Sequence, residues 1–593
     1  MNQNSLLSPR LLPLLLLCIF VVCVQSKCTS EGSKEDTKTL NIRLESPAAS
    51  LNPLLPATGY SNYLAARIFQ TLGEIEPKTL ELVPLLAKTI PKVRTATDGL
   101  YKDHLAYDFE INEAAVWDDG SPITGHDVAF TLKVIHHPGL RTEVYRNYFT
   151  YLTDVVVDSA NPKKFSVFFS DYYMLSLESL CQIPIYPAYH YDAGHLLADV
   201  SIKDLANATK AKALAETANM QSFATSFSDA KYSVDKNFIS GSGPYTLESL
   251  NGDQGAILTR KAKWWGDNAK DNPLLKGYPQ TMIYKVVRDE ITVENMLRNK
   301  ELDLVTNMSA ANFQRLRTDA ALTKEYDFLV NPSPNFSKWV LNTRNPKLSD
   351  TKVRRALAHL VDYNYLTSNV QQGMAQRIVA PISPQKPFYA KDIVLRDFNV
   401  ATATDLLTQA GWKDTDQDGI LDKMIGGKKT PLTIEVLAGT NSKTAELIAN
   451  SVKETAKQAG VNIKIIPANL EKIRDDTQKG SFESAVLSSA IFPGLVEFYQ
   501  MYHSASLAPF GDNRSRFANP RADSLITAIR TTSDEQIRNA LYLKMQQLLY
   551  DEVPEIYFYS PSMRYIVRKK FDYVLTYSRP GFYDFLFKGR QLQ

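Results

Sequence analysis

The sequence predicts an α/β protein built from layers of helices and strands. Short runs that alternate apolar and polar residues, typical of strands, are interleaved with runs that have the apolar spacing of helices. The composition, 44% hydrophobic and 22% charged, is that of a folded globular protein, and 593 residues suggest three or four domain-sized units. Because the two patterns alternate along the chain, they favour α/β layers over a helical bundle or a β-sandwich.

The amino-terminal segment predicts export. Leu11 to Val24 form an apolar run of 14 residues, which is short for a membrane-spanning helix but fits a secretory signal peptide. Cys28 follows, and this order resembles a bacterial lipoprotein signal in which Cys28 is lipidated, although Lys27 replaces the usual small residue before it. The alternative is a plain signal peptide cut nearby. The expected location is the periplasm or cell envelope, with a lipid anchor at Cys28.

The first elements of the exported part alternate between the two patterns. Strands are predicted at Leu40–Leu44, Tyr107–Ile111, Phe165–Phe169 and Met282–Val287, and helical spacing at Tyr63–Leu72. Gly241 and Gly243 allow either a positive φ or a close backbone approach.

Three further helices have start signals. Thr124 and Asp127 form a capping box. Ser349 is predicted to cap the helix that contains Val353 and Leu357, and the segment that begins at Thr532 is predicted to cap the last long helix. In the first of these two helices, Asp350 and Arg354 have the spacing of an ion pair.

Several classes of function find no support in the sequence. The formal net charge of +3 gives no reason to expect nucleic acid as a partner. Patterns for a zinc hydrolase or a serine nucleophile are missing, and Gly427–Thr430 fails as a phosphate-binding loop because Lys429 replaces the required Ser or Thr. Of the four cysteines, only Cys181 lies beyond the signal, so it is predicted to be a buried apolar residue without a disulfide. We therefore expect neither catalysis nor a cofactor.

One acidic loop resembles a calcium site. Asp414, Asp416 and Asp418 have the spacing of the first ligands of a calcium loop, with Gly419 at its sharp turn. Ile425 stands where the bidentate glutamate is required. An acidic turn without metal is therefore the favoured interpretation, with closure by Asp422 as the alternative.

Six segments together resemble one family, the bacterial extracellular solute-binding proteins of family 5, the oligopeptide- and dipeptide-binding group. In chain order they are Ser50–Leu54, Trp117–Val128, Gly241–Tyr245, Leu341–Asp362, Ala410–Trp412 and Pro554–Tyr557. The resemblance spans nearly the whole exported chain. It implies a bilobal periplasmic-binding-protein fold of type II around a deep cleft, with a third subdomain inserted in the first lobe. In such a fold, a crossing between lobes is the preferred interpretation of Gly241 and Gly243.

The resemblance also implies boundaries and partners. We expect the signal at 1–28, the first lobe at 39–285 with its inserted subdomain at about 76–184, the second lobe at 286–550, and a return to the first lobe at 551–593. A monomer is expected to bind a peptide or another small solute and to deliver it to an ABC permease driven by ATPase subunits. The alternatives are the same fold with a non-peptide solute and, from another class, an exported hydrolase, which the missing catalytic motifs disfavour.

The expected ligand-binding strand departs from the family pattern. In peptide binders of this family, a strand of the second lobe leads to a tryptophan and to an aspartate that pairs with the peptide's amino group. Here the corresponding residues are Ser488, Ser489, Ala490, Ile491 and Phe492, with Ser489 at the tryptophan and Phe492 at the aspartate. Between Glu483 and Glu497 there is no carboxylate. We therefore predict a ligand strand without the usual amine anchor.

Overall fold

The computed structural model describes residues 36–590 except 56, 270–271, 441, 491–493, 508–510 and 578–579. Within these residues the strands are β1 Thr39–Leu44, β2 Gly73–Ile75, β3 Leu82–Pro84, β4 Val93–Thr95, β5 Leu105–Glu110, β6 Leu152–Val157, β7 Lys164–Phe169, β8 Tyr245–Leu250, β9 Gly255–Arg260, β10 Thr281–Val286, β11 Leu304–Thr306, β12 Tyr326–Pro332, β13 Asn335–Leu341, β14 Ala375–Gln376, β15 Asp422–Ile425, β16 Lys428–Pro431, β17 Thr433–Gly439, β18 Asn462–Ala468, β19 Ser484–Ala490, β20 Glu555–Arg568, β21 Phe571–Asp572 and β22 Lys588–Gly589.

The helices of the same residues follow. They are α1 Gly59–Ala65, α2 Gly125–His136, α3 Glu143–Arg146, α4 Ser176–Gln182, α5 Ala188–Tyr191, α6 Ile202–Ala206, α7 Ala208–Ala215, α8 Ala218–Phe227, α9 Lys231–Val234, α10 Glu290–Arg298, α11 Ala310–Arg317, α12 Ala320–Glu325, α13 Thr351–His359, α14 Val400–Gln409, α15 Lys443–Lys457, α16 Leu470–Lys479, α17 Tyr499–Tyr502, α18 Pro520–Thr531 and α19 Glu535–Glu552. Short 3-10 turns are Asn147–Phe149, Gly252–Gln254, Trp265–Asn268, Ser504–Ser506 and Asp584–Leu586, and Tyr365–Val370 is π-helical.

One long sheet joins the beginning, the middle and the end of the described chain. Its order is β18–β17–β19–β13–β20–β11–β1–β10–β9–β8, with β12 and β14 also paired to β20. β1 is parallel to β10 and β11, whereas β13 is antiparallel to β19 and β20. A separate four-stranded sheet has the order β4–β5–β7–β6.

Strand β20 crosses between two hydrophobic cores. Its first half pairs with β13, where Trp339 faces Ile556, and its second half pairs with β12 and β11. Phe558 belongs to the core formed mainly by residues 339–463, here called the second core. Tyr565 and Val567 belong to the first core, formed mainly by residues 40–304 and 563–587. The same strand therefore stabilises both halves of the protein.

A third apolar group connects distant parts of the chain. Tyr173, Met174 and Leu175, which directly precede α4, pack with residues between 382 and 549, including Val496 and Tyr542. We call this group the bridging cluster. It brings the segment before α4 against α18, α19 and the segment after β19.

The four strands predicted from the alternating pattern are confirmed. β1, β5, β7 and β10 lie at the expected places within a residue or two, and Thr124 and Asp127 form the predicted capping box on α2. Cys181 is buried and is a free cysteine, as predicted. Among the described residues, no helix is long and apolar enough to span a membrane.

Two helix starts were predicted wrongly. Asp350, not Ser349, caps α13, because its carboxylate accepts the N–H of Lys352. Asp534, not Thr532, caps α19 through the N–H of Ile537. In both segments the carboxylate lies directly before the first helical turn, where it meets the free N–H groups and the positive end of the helix dipole.

The predicted pair between Asp350 and Arg354 is not formed either. The Arg354 guanidinium instead donates to main-chain oxygens, including those of Leu348 and Glu552. It thus fixes the start of α13 to the end of α19.

The helix predicted over Tyr63–Leu72 is shorter than expected because α1 ends at Ala65. The carbonyl of Ile68 accepts the N–H of Gly243 at 2.7 Å, so this backbone pairs with the returning chain instead of continuing the helix. A Cβ at Gly241 or Gly243 would overlap the main chain of residues 67–68. These glycines therefore serve a close backbone approach. The crossing between lobes stays a prediction.

Candidate ligand-binding site

The described part of the predicted ligand strand is the end of β19. Ser488, Ser489 and Ala490 pair with β13, where Ser337 faces Ser488. Ser488 is exposed, whereas Ser489 and Ala490 are half-buried. Ile491 and Phe492, the other two predicted site residues, and Cys28 lie outside the described residues.

The other edge of β19 is only partly paired. β17 pairs with Ser484 and Ala485, and within the described residues no strand continues this pairing from Val486 to Ala490. In a strand, alternate residues present their N–H and C=O groups to the same side. The end of β19 therefore offers main-chain hydrogen-bonding groups along an open sheet edge, the arrangement that binds extended chains by strand addition.

A row of polar side chains leads from this edge to β20. The hydroxyl oxygens of Ser488 and Ser337 are 3.3 Å apart. The amide of Gln371 donates to the Tyr559 hydroxyl at 2.9 Å, and Arg564 donates to the Gln371 oxygen at 3.5 Å. Burial raises the pKa of Tyr559, so it stays a neutral hydroxyl. In this row, the sequence predicted only Ser488 as a site residue.

Glu497, the first carboxylate after the strand, is already paired. Its Oε2 lies 3.2 Å from Nε of Arg530 and accepts the Tyr173 hydroxyl at 2.8 Å. Its Oε1 accepts the N–H of Tyr499 at 2.7 Å. Burial, together with the Glu497 carboxylate, holds the pKa of Tyr173 well above its usual range, so the hydroxyl remains a donor. Sequence reasoning missed Tyr173 and Arg530, because neither belongs to a local motif with Glu497.

A second carboxylate lies against the same segment. Glu178 of α4 contacts Gly494, and it accepts hydrogen bonds from Gln182 at 3.1 Å and from the N–H of Leu495. Burial raises the pKa of Glu178. The bridging cluster thus places two acidic side chains beside the residues that follow β19.

The acidic loop that begins at Asp414 contains a lysine ammonium group beside its carboxylates. Asp414, Asp416 and Asp422 are the three carboxylates that the described residues bring within metal-binding distance of one another. The Lys429 ammonium lies 2.7 Å from Asp416 and 3.3 Å from Asp422, and Thr415 donates to Asp422 as well. A lysine therefore supplies the positive charge at this loop.

A cavity of about 200 Å³ lies in the first core, away from β19. Its polar lining includes Asn62, Arg67, Gln70 and Glu74. Burial raises the pKa of Glu74. Of the described ligand-strand residues, Ser488, Ser489 and Ala490, none lines this cavity.

The sequence matches a model of the bacterial extracellular solute-binding proteins, family 5 Middle, over residues 81–506. Among characterised relatives, the oligopeptide-binding protein AppA of Bacillus subtilis is 26% identical over 474 residues, which cover 77% of this chain and 76% of AppA.

Solved structures give a similar result. The structure of AppA from Bacillus subtilis in complex with a nonapeptide superimposes with a TM-score of 0.71 at 21% identity, over 93% of this chain and 99% of AppA. The structure of NikA from Brucella suis in complex with Fe(III)-EDTA superimposes with a TM-score of 0.72 at 18% identity, over 93% of this chain and 100% of NikA. The likeness confirms the predicted α/β, bilobal type II periplasmic-binding-protein fold. The third subdomain inserted in the first lobe stays a prediction.

Proposed function

Because the chain belongs to the bacterial extracellular solute-binding proteins of family 5, we propose that it captures peptides between its two lobes and delivers them to an ABC permease. The two lobes would close over the ligand, and the permease would recognise the closed form. We propose the predicted lobe boundaries, a monomeric state and the absence of catalysis as parts of the same function.

The open edge of β19 is the observation that carries this proposal. Main-chain groups from Val486 to Ala490 face a side without a strand partner among the described residues. Peptide main chains bind such edges irrespective of their side chains. The peptide-bound relative AppA supports this choice of ligand.

Calorimetry and thermal unfolding with a mixed peptide library test the function. A ligand that binds only the folded protein at a hundredfold excess over Kd stabilises it by about 2.7 kcal/mol. The melting temperature should rise, and small-angle scattering should show a more compact envelope. Tight binding without compaction would contradict closure of the lobes.

Two observations support a non-peptide solute as the alternative. Ser489 and Phe492 stand where peptide binders of the family have a tryptophan and an aspartate, and the similar structure of NikA holds Fe(III)-EDTA. Mass spectrometry of small molecules that co-purify with the gently prepared protein separates the two candidates. A bound non-peptide solute, together with no stabilisation by any peptide pool, would replace the peptide proposal.

The ligand's amino end should not depend on a charge from β19. A buried ammonium group without a negatively charged partner costs several kcal/mol. Phe492, which stands where the family has an aspartate, supplies no such charge. We expect matched peptides with free and acetylated amino termini to bind equally, or the blocked form to bind better, in calorimetry. A tenfold preference for the free amine, about 1.4 kcal/mol, would contradict this.

Anchoring in the envelope is tested separately. We expect Cys28→Ser to move the protein from the membrane fraction to the soluble fraction. The variant would lack the residue that carries the acyl chains, and multiple chains are needed for a stable anchor. Membrane retention of the variant would show that Cys28 is not the anchor.

A further inference from the structure

The Glu497 carboxylate has partners on both of its oxygens. Arg530 and Tyr173 meet Oε2, the N–H of Tyr499 meets Oε1, and the Glu497 side chain is only 8% exposed. A buried carboxylate requires such compensation, because loss of water around a charge costs several kcal/mol. As long as Arg530 is present, the charge of Glu497 is neutralised within the protein.

The Arg530 guanidinium is fixed as well as charged. It lies over the rings of Tyr173, at 4.9 Å, and Tyr499, at 4.2 Å. The planar guanidinium is suited to aromatic faces and to carboxylates. Two rings and a carboxylate therefore hold this cation beside Glu497.

The pair forms where two distant segments meet. Tyr173 and Glu497 are 324 residues apart, and the N–H of Met174 donates to the carbonyl of Arg530 at 3.0 Å. This contact belongs to the bridging cluster, which also contains Val496 and Phe498 on either side of Glu497. In the sequence, Glu497 is the first carboxylate after β19, and both of its oxygens are occupied.

We propose that Arg530 is a specificity-determining residue, whose guanidinium occupies Glu497 and thereby prevents this carboxylate from binding a ligand's ammonium group. The proposal rests on the proposed function, since it concerns ligands that lie along β19. An ammonium and a guanidinium compete for the same oxygens, and the guanidinium belongs to the protein and is always present. The cleft thus accepts ligands whose end at β19 is uncharged or blocked.

Removal of the guanidinium should reverse this preference. In Arg530→Gln the buried carboxylate lacks its cation, and a ligand ammonium restores the missing charge. Calorimetry should show equal affinity, within twofold, for free and acetylated forms of one peptide in the unchanged protein. It should show at least a tenfold preference for the free amine in Arg530→Gln, about 1.4 kcal/mol.

Matched variants identify the carboxylate responsible. Arg530→Lys keeps a positive charge and should retain the original preference. In the Arg530→Gln background, Glu497→Gln should abolish the new preference, whereas Glu178→Gln should leave it, because Glu178 is not bound to Arg530. If both double variants keep the preference for the free amine, Glu497 is not the acceptor and the proposal is wrong.

A second measurement does not require a peptide. Methylammonium chloride should raise the melting temperature of Arg530→Gln above that in sodium chloride of equal ionic strength. The gain should be missing in the unchanged protein and in Arg530→Gln/Glu497→Gln. If methylammonium gives Arg530→Gln no gain in melting temperature over sodium, the proposal is wrong, whatever the peptide measurements show. If Arg530→Gln shows this gain in melting temperature but the protein binds no peptide, the neutralisation of Glu497 by Arg530 is supported. The proposed peptide-binding function is then contradicted.

Discussion

The Arg67–Asp584 pair of the first core and the Arg530–Glu497 pair of the bridging cluster are built alike. Asp584 accepts the hydroxyls of Tyr63 and Tyr284, much as Glu497 accepts that of Tyr173. Each guanidinium lies over two aromatic rings, those of Tyr63 and Phe585 in the case of Arg67.

The two pairs differ in what they hold together. Tyr63, Tyr284 and Phe585 all belong to the first core, and Asp584 is completely buried in it. The partners of Glu497 come from distant segments that meet in the bridging cluster. With the lobe boundaries proposed above, Tyr173 belongs to the first lobe and Glu497 and Arg530 belong to the second. On that proposal, the same chemistry should contribute to global stability in the first core and to the closure of the lobes in the bridging cluster.

The largest effect is expected for Asp584→Ala. It leaves the Arg67 guanidinium buried without its counter-charge, which costs roughly 3–5 kcal/mol of unfolding free energy in urea titrations. The control is Asp572→Ala, which removes a solvent-exposed pair with Arg590 and should cost less than about 1 kcal/mol. Similar losses for both would show that the buried pair contributes no more than a surface pair.

A matched pair of Tyr→Phe changes compares the two regions directly. Tyr63→Phe removes a hydrogen bond to a buried charge and should lower the unfolding free energy by about 1.5–3 kcal/mol. Tyr173→Phe makes the same change, but water can replace the lost hydroxyl once the lobes open, so the expected loss is below about 1 kcal/mol. Small-angle scattering should instead show a larger radius of gyration for Tyr173→Phe alone. Equal losses and equal envelopes would contradict the comparison.

A smaller effect concerns acid stability. His137, at the end of α2, packs against Phe223, and burial lowers its pKa from 6.5 to about 4. The unfolded state therefore binds a proton that the folded state does not, and stability should fall as the pH drops from about 6.5 to 4. His137→Asn should reduce the difference between urea midpoints at pH 7 and pH 4.5. As a control, His126→Gln, at an exposed position of the same helix, should leave this difference between the urea midpoints unchanged.

The smallest effect is expected at the acidic loop. Because Lys429 already pairs with Asp416 and Asp422, neither calcium nor EDTA should change the melting temperature by more than about 1 °C. A clear, saturable rise with calcium would mean that the ion displaces the lysine.

Local patterns predicted much of the fold. The alternation from Leu40 to Leu44 and the Thr124–Asp127 capping box depend on neighbouring residues, and both are confirmed. The end of α1 was not predictable in this way, because Gly243 from a distant segment bonds to the Ile68 carbonyl. Helix starts at Asp350 and Asp534 were missed by a residue or two, since several capping residue types stand next to each other there.

The candidate site was predicted only in part, for the same reason. Ser488 and Ser489 follow from the family pattern of a single strand. Arg530 and Tyr173 lie in other elements, and no spacing in the sequence relates them to Glu497. Contacts made by folding, not motifs, therefore decide which charge is available beside β19.

The late position of Asp584 has a consequence for the newly synthesised protein. Tyr63 and Asp584 are 521 residues apart, and β20 completes both cores only after residue 555. Chains emerge amino end first, and apolar surface that is still unpaired favours aggregation. Neither core is complete until almost the whole described chain has been made. A chaperone that binds apolar segments would thus have nearly all of translation in which to act.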